Sequence, residues 1–144
     1  MAIPLIAIGG HSGAKLEFTD PEILEFDDWL DLLHLYLTGK PWHSGKGFFK
    51  KHGVDPRFFE LFQLARLHGD SLNHETCKKL LSDFNRLRPG LRKKLLAWIK
   101  KNGRAEMYTT EFVDRWMWVY NCLAIACMLA AMSPRGYIQY VKSE

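Results

Sequence analysis

The sequence predicts an all-α fold, a single-domain bundle of about five helices around a central hydrophobic C-terminal helix. Apolar residues recur every three or four positions through most of the chain, and residues that favour helix caps precede these repeats. The stretch 116–132 has Asn121 as its only polar residue, which is typical of a helix with neighbours on several sides. With 144 residues, 47% of them hydrophobic, the chain can bury the core of one domain, predicted as 1–144.

Short extended segments are predicted at both ends of this domain. Residues 1–14 form an arm, because an apolar run is followed by Gly9-Gly10 and further small residues. The tail 133–144 contains the β-like stretch 136–141, and its pairing with the arm would tie the termini together. No signal peptide is predicted, because the apolar run is short and no Lys or Arg precedes it.

Predicted helix one begins near Thr19 and Glu22, which have the spacing of a capping box, with Pro21 in the first turn. Gly39 suits its C-terminal end. The apolar residues at steps of three and four between these limits form one stripe: Ile23, Phe26, Leu30, Leu33 and Leu37.

Four further helices follow a basic connection that is broken by glycines. Predicted helix two begins at Asp55-Pro56, a cap followed by proline at the first helical position. Predicted helix three covers 73–87. Predicted helix four, 91–102, is sharply amphipathic, with lysines on the arc opposite its apolar side chains. Predicted helix five begins after Thr109 and ends near residue 132.

Charge is distributed unevenly along the chain. Residues 1–35 carry seven acids and one base, a net charge of −6, whereas residues 36–104 carry sixteen bases and five acids, a net charge of +11. Residues 105–144 have a net charge of −1. Such contrast indicates an anionic partner for the middle segment. It is also compatible with docking of predicted helix one against helix four, or with head-to-tail self-association.

Basic and aromatic residues of the middle segment are the candidate site. The predicted anion-binding residues are Lys46, Lys50, Lys51, Arg88, Arg92, Lys93, Lys94, Lys100, Lys101 and Arg104. Trp42, Phe48 and Phe49 lie among the lysines of the connection and could stack on unpaired bases. Because each phosphate contact releases counterions, binding of nucleic acid through this set would depend steeply on salt.

Other interpretations of these features stay open. Lysines with interfacial Trp and Phe also suit an anionic membrane surface, and the lysine arc is compatible with an ordinary solvated helix face. The protein could instead be an interaction module or inhibitor that docks through acidic helix one, with Asp27, Asp28 and Asp31, or through the aromatic connection 40–52. The seventeen residues 116–132 are at the lower limit for a membrane span, and a buried helix is the prediction.

Three patterns resemble motifs of catalytic or ligand sites and lack a required part. Ser12 lies in a loosened nucleophile-elbow pattern, but no parallel sheet is predicted to hold that turn. The stretch 39–46 has five residues between its glycines where a phosphate loop has four, and Gly47 replaces the Ser or Thr. His68, His74 and Cys77 lack a fourth zinc ligand nearby. We therefore predict a non-enzymatic protein with no catalytic residue, metal, cofactor or small-molecule substrate.

The cysteines indicate the compartment. Cys77, Cys122 and Cys127 are few and odd in number, a poor disulfide framework, so we expect a reducing intracellular location and no secretion. A peripheral position at a membrane is the alternative. Together these observations predict a structural or binding protein of the nucleocapsid or matrix type, with nucleic acid as the first choice of partner, an anionic lipid surface as the second, and a capacity for self-association.

Overall fold

The structure is a computed structural model that describes residues 5–9, 14–17, 26–40, 71–132 and 134–140. Within these residues the protein is mostly helical. The helices are α1 (Phe26–Thr38), α2 (His74–Leu87), α3 (Leu91–Lys101) and α4 (Thr110–Ala131). The strands are β1 (Leu5–Gly9), β2 (Ala14–Glu17), β3 (Ser71–Asn73) and β4 (Tyr137–Tyr140).

Predicted helices one, three, four and five are confirmed as α1, α2, α3 and α4. Their ends follow from local chemistry: the Asn73 side chain accepts a hydrogen bond from the Thr76 amide, and the Thr109 hydroxyl accepts one from the Phe112 amide. Helix α1 ends at Gly39, whose φ of 75° is a left-handed conformation that glycine adopts without a Cβ penalty. Predicted helix two and the first predicted turn of helix one lie outside the described residues.

The short strands form one antiparallel sheet in the order β2-β1-β4-β3. Strand β1 pairs with β4, with Ala7 opposite Ile138, which confirms the predicted pairing of the N-terminal arm with the tail. Strands β2 and β3 correct the all-α prediction. They are four and three residues long, and they pair with the free edges of β1 and β4, where they hydrogen-bond backbone groups that the β1–β4 pair leaves open.

Helix α4 is central, as predicted. It packs against α2, α3, β1 and β4, and its inward residues are part of one hydrophobic core. That core includes the buried side chains of Leu30, Leu33, Leu80, Phe84 and Leu123.

Two tryptophans join α1 to α4. The Trp29 indole N–H donates to the Trp116 carbonyl at 3.0 Å, and the Trp116 indole N–H donates to the Trp29 carbonyl at 2.9 Å. Their rings stack with centroids 5.2 Å apart. The Tyr120 hydroxyl, which is also buried, donates to the Phe84 carbonyl. These bonds satisfy the polar atoms of three large buried aromatic side chains, so the cluster can lie in the core at little cost.

Strand β4 lies tightly against the last turn of α4. A Cβ added to Gly136 would be 2.1 Å from the Ala130 carbonyl oxygen, so only glycine fits there. The same oxygen lies 3.1 Å from Nδ1 of His74, and because a carbonyl only accepts, Nδ1 is the donor of this hydrogen bond. This junction connects α2, α4 and the sheet.

Candidate anion-binding surface

The core determines how α3 is oriented. Leu91, Leu95 and Ile99 are buried on one side of the helix, and Trp98, beside them, meets the ring of Tyr36 on α1 edge-on with centroids 5.8 Å apart. Since the helix cannot rotate without exposing these side chains, its opposite side must face solvent.

That opposite side carries four exposed lysines, Lys93, Lys94, Lys100 and Lys101, which we call the lysine face. Exposed Ala97 lies between the pair Lys93-Lys94 and the pair Lys100-Lys101, and equivalent lysines of the two pairs are seven residues apart, or about 10 Å along the helix axis. None of the four lysines forms an ion pair with another residue of the described part of the chain.

Arg92 differs from these lysines. Its Nε donates to an Asp114 carboxylate oxygen on α4 at 2.7 Å. The hydrogen bond and the negative charge of Asp114 raise the pKa of the Arg92 guanidinium. Arg92 is consequently held by α4, although both partners stay exposed and the bond is one that solvent weakens.

Arg104 lies near the acidic side of α1. Burial raises the pKa of Tyr108, the charges of Asp31 and Asp28 raise it further, and the charge of Arg104 lowers it. Carboxylates of α1 and the half-buried Arg104 thus act on the same phenol.

The remaining predicted contacts are placed as follows. Arg88 is exposed in the turn between α2 and α3. Asp28 is exposed and Asp31 half-buried on α1. The predicted residues that lie outside the described part of the chain are Lys46, Lys50, Lys51, Trp42, Phe48 and Phe49, together with the side chain of Asp27.

Sequence reasoning did not single out the exposed lysines of α2. Lys78 lines an open groove of about 540 Å³ with Leu81, Ser82, Asn85, Arg86 and Ala131. Arg86 is bonded to Asp83 at 2.9 Å. The adjacent pair Lys78-Lys79 was visible in the sequence, but a groove between α2 and the end of α4 depends on how the two helices pack.

The candidate metal ligands have protein contacts instead. His74 is bonded to Ala130, as described above, and the Cys77 thiol donates to the Leu72 carbonyl at 3.6 Å. His68 lies outside the described residues. Across the described ranges, no group of three or more His, Cys, Asp and Glu side chains is placed to hold a metal ion.

The three described cysteines are free thiols. The hydrogen bond with Cys77 and burial raise the pKa of Cys127, and burial raises the pKa of half-buried Cys122. A raised pKa keeps a thiol protonated and weakly reactive.

No helix within the described ranges is both long enough and apolar enough to cross a membrane. Comparison with known proteins adds no relative: no family model matches the chain, and neither a curated protein nor a solved structure is significantly similar to it. What the lysine face does must therefore be inferred from its geometry and charge.

Proposed function

We propose that the protein is a non-enzymatic binding protein whose lysine face contacts the phosphates of a nucleic acid. One observation carries this proposal. The core holds α3 in a single orientation in which Lys93, Lys94, Lys100 and Lys101 all face solvent, without a carboxylate partner in the described part of the chain. A polyanion that replaces the solvent ions at such a surface gains binding energy from their release.

The shape of α3 suits a phosphate backbone. A helix about 10–12 Å across is comparable with the width of the major groove of DNA, about 12 Å, and the two lysine pairs could also follow a single strand. Because Ala97, between the two lysine pairs, has a short side chain, a phosphate backbone can approach the helix closely there. The surroundings strengthen the attraction, because residues 71–104 carry ten bases and two acids, a net charge of +8.

The chemistry of lysine indicates sequence-independent binding. An ammonium group is a hydrated point charge and contacts phosphates readily, whereas reading base edges favours the forked donors of arginine or the amides of Asn and Gln. Such binding suits a protein of the nucleocapsid or matrix type. Predicted helix two, at 55–68, and the contacts predicted for the 40–52 connection belong to this proposal.

The test is binding of a labelled single-stranded oligonucleotide of about 16 nucleotides, measured by fluorescence anisotropy between about 50 and 200 mM salt. Two double variants each remove one lysine pair: Lys93→Gln with Lys94→Gln, and Lys100→Gln with Lys101→Gln. The matched control is Lys78→Gln with Lys79→Gln, an adjacent exposed pair on α2 with the same change in charge. Each α3 variant should flatten the log–log salt slope by roughly 1.4, about 0.7 for each lost phosphate contact.

Three results would contradict the proposal. If the α2 control flattens the salt slope as much as the α3 variants do, overall charge, and not the lysine face, drives binding. Absence of binding at about 50 mM salt would exclude nucleic acid as the partner. If phosphatidylserine vesicles bind the protein through the same lysines and an oligonucleotide does not compete for them, the function is binding of an anionic membrane surface.

A further inference from the structure

Helices α2 and α4 pack in an antiparallel register that two contacts define. Near the start of α2, the His74 ring is bonded to the Ala130 carbonyl at 3.1 Å. Near its end, the Phe84 ring meets the Tyr120 ring edge-on with centroids 4.9 Å apart, and the Tyr120 hydroxyl donates to the Phe84 carbonyl. Between these contacts the chain advances from 74 to 84 on α2 and falls from 130 to 120 on α4, so one register holds from the first to the second.

The same register places two cysteines opposite each other. Cys77 is three residues after His74, about one helical turn further along α2. Cys127 is three residues before Ala130, the matching step on α4. Both side chains are fully buried, and their thiols share a hydrogen bond. The Cys77 thiol also donates to the Leu72 carbonyl at 3.6 Å, so a second contact holds this sulfur in place.

The distance between packed helices suits a disulfide at this position. Helix axes pack about 8–10 Å apart and Cα atoms lie about 2.3 Å from each axis, so facing residues have Cα atoms up to roughly 5.5 Å apart. A disulfide spans Cα separations of about 4.4–6.8 Å. Ala124 and Ala130, about one turn on either side of Cys127, are buried and small, which permits close packing. The bond can therefore form without separating the two backbones.

The two thiols differ in reactivity. The hydrogen bond with Cys127 lowers the pKa of Cys77, burial opposes this effect, and a hydrogen bond from the Ile138 amide adds to it. The hydrogen bond with Cys77 and burial raise the pKa of Cys127. Because the thiolate is the reactive form, Cys77 is the thiol that reacts first, and Cys127 is placed to react with the product. A reactive cysteine beside a second, resolving cysteine is the arrangement of redox-sensing sites.

We propose that Cys77 and Cys127 are a reversible redox pair, which hydrogen peroxide oxidises to a disulfide that fastens α2 to α4. This goes beyond the proposed function and does not rest on it, because the pair lies in the core and the lysine face lies on the surface of α3. Under reducing conditions the pair consists of two free thiols, as in the structure. Because both sulfurs are buried, the oxidant must be small, and hydrogen peroxide is little larger than water.

The oxidation has two steps. The Cys77 thiol loses its proton and its sulfur attacks one peroxide oxygen; the O–O bond breaks, and the departing hydroxide takes up the proton to give water and a sulfenic acid. The Cys127 sulfur then attacks the Cys77 sulfur, the S–O bond breaks, and hydroxide leaves with the Cys127 proton as a second water. Two thiols and one peroxide thus give one disulfide and two waters. A thiol reductant reverses the change by thiol–disulfide exchange.

The test is peptide mapping by mass spectrometry after the folded full chain is treated with hydrogen peroxide and its remaining thiols are blocked. The expected product joins the peptides that contain Cys77 and Cys127, and dithiothreitol should restore both thiols. The matched control is Cys122→Ala, which removes the half-buried third thiol and should leave this link intact. Cys127→Ala should stop the reaction at the Cys77 sulfenic acid, which dimedone traps, whereas Cys77→Ala should give no dimedone adduct at Cys127.

A second measurement shows whether the disulfide fastens the helices. It closes a loop of about 50 residues, so the oxidised wild type should melt roughly 10 °C above the reduced protein, and peroxide should not raise the Tm of Cys77→Ala. A wild type that keeps both thiols at peroxide concentrations that oxidise Cys122 would overturn the proposal. So would a link through Cys122 or between two molecules in place of the 77–127 link, or an unchanged Tm in the linked protein. Because the wild-type map needs no variant, it decides the matter even if a cysteine variant does not fold.

Discussion

Replacement of Gly136 by alanine should destabilise the protein more than its one added methyl group suggests. The new Cβ would be 2.1 Å from the Ala130 oxygen and 2.7 Å from both the carbonyl carbon and the Cα of Ala130. All three atoms are backbone atoms of the last turn of α4, so no side chain can rotate away. Strand β4 and α4 would have to separate by roughly 1 Å to restore ordinary contact distances.

That separation affects several contacts at once. Ile138, two residues after Gly136, is fully buried and is paired with Ala7 of β1 and Leu72 of β3. Overpacking of a core typically costs about 1–3 kcal/mol, and an immovable backbone puts this site at the upper end, near 3 kcal/mol. For a chain of this size, such a loss lowers Tm by roughly 10 °C.

Urea unfolding followed by tryptophan fluorescence and far-UV circular dichroism measures this loss. The matched control is Gly39→Ala, where no atom lies within 4 Å of the added Cβ and the cost comes only from the φ of 75°. That left-handed conformation should cost about 1–2 kcal/mol. If Gly136→Ala is no more destabilising than Gly39→Ala, the close approach of β4 to α4 is wrong.

Two further predictions concern the aromatic cluster. Trp116→Phe removes both an indole hydrogen bond and core volume, so it should lower the free energy of unfolding in urea by about 2–4 kcal/mol. The same change at exposed Trp118, measured in dilute protein, should lower it by under about 0.5 kcal/mol. Equal losses in the two variants would contradict the paired-indole geometry. Burial raises the pKa of Tyr120 above its ordinary value of 10.0. The unfolded chain therefore ionises first, and the stability that wild type has over Tyr120→Phe should be constant below pH 10 and shrink above it, by up to about 1.4 kcal/mol per pH unit. A constant difference up to pH 11 would contradict this.

Much of the helical framework was predictable because its signals are local. The Asn73 and Thr109 caps and Gly39 mark helix boundaries by hydrogen bonds or backbone conformations within a few residues. The lysine face of α3 was predictable for the same reason, since a helical period places lysines opposite leucines regardless of what packs on the leucines.

Which basic residues of the candidate site are paired within the protein depended on residues distant in sequence. Arg92 lies at the border of the lysine arc and was counted with the lysines, yet Asp114, 22 positions away, holds it. Arg104 is a predicted contact whose charge also acts on Tyr108, together with the charges of Asp31 and Asp28 on α1. Ion pairing is a property of three-dimensional proximity, so charge counts along the chain overestimate the charge available to a partner.

The sequence by itself determined which described segments become helices, that the two ends are extended, and which side of α3 carries the lysines, because each follows from period, capping or strand propensity within one segment. Only the tertiary structure decided that β2 and β3 join the sheet, since the edges on which they pair exist only once β1 and β4 have come together. It also decided which face of α4 is exposed. A helix that is apolar nearly all round does not encode its own orientation, and among the described residues the packing of α2, α3 and the sheet leaves Trp118, Ile125 and Met128 exposed.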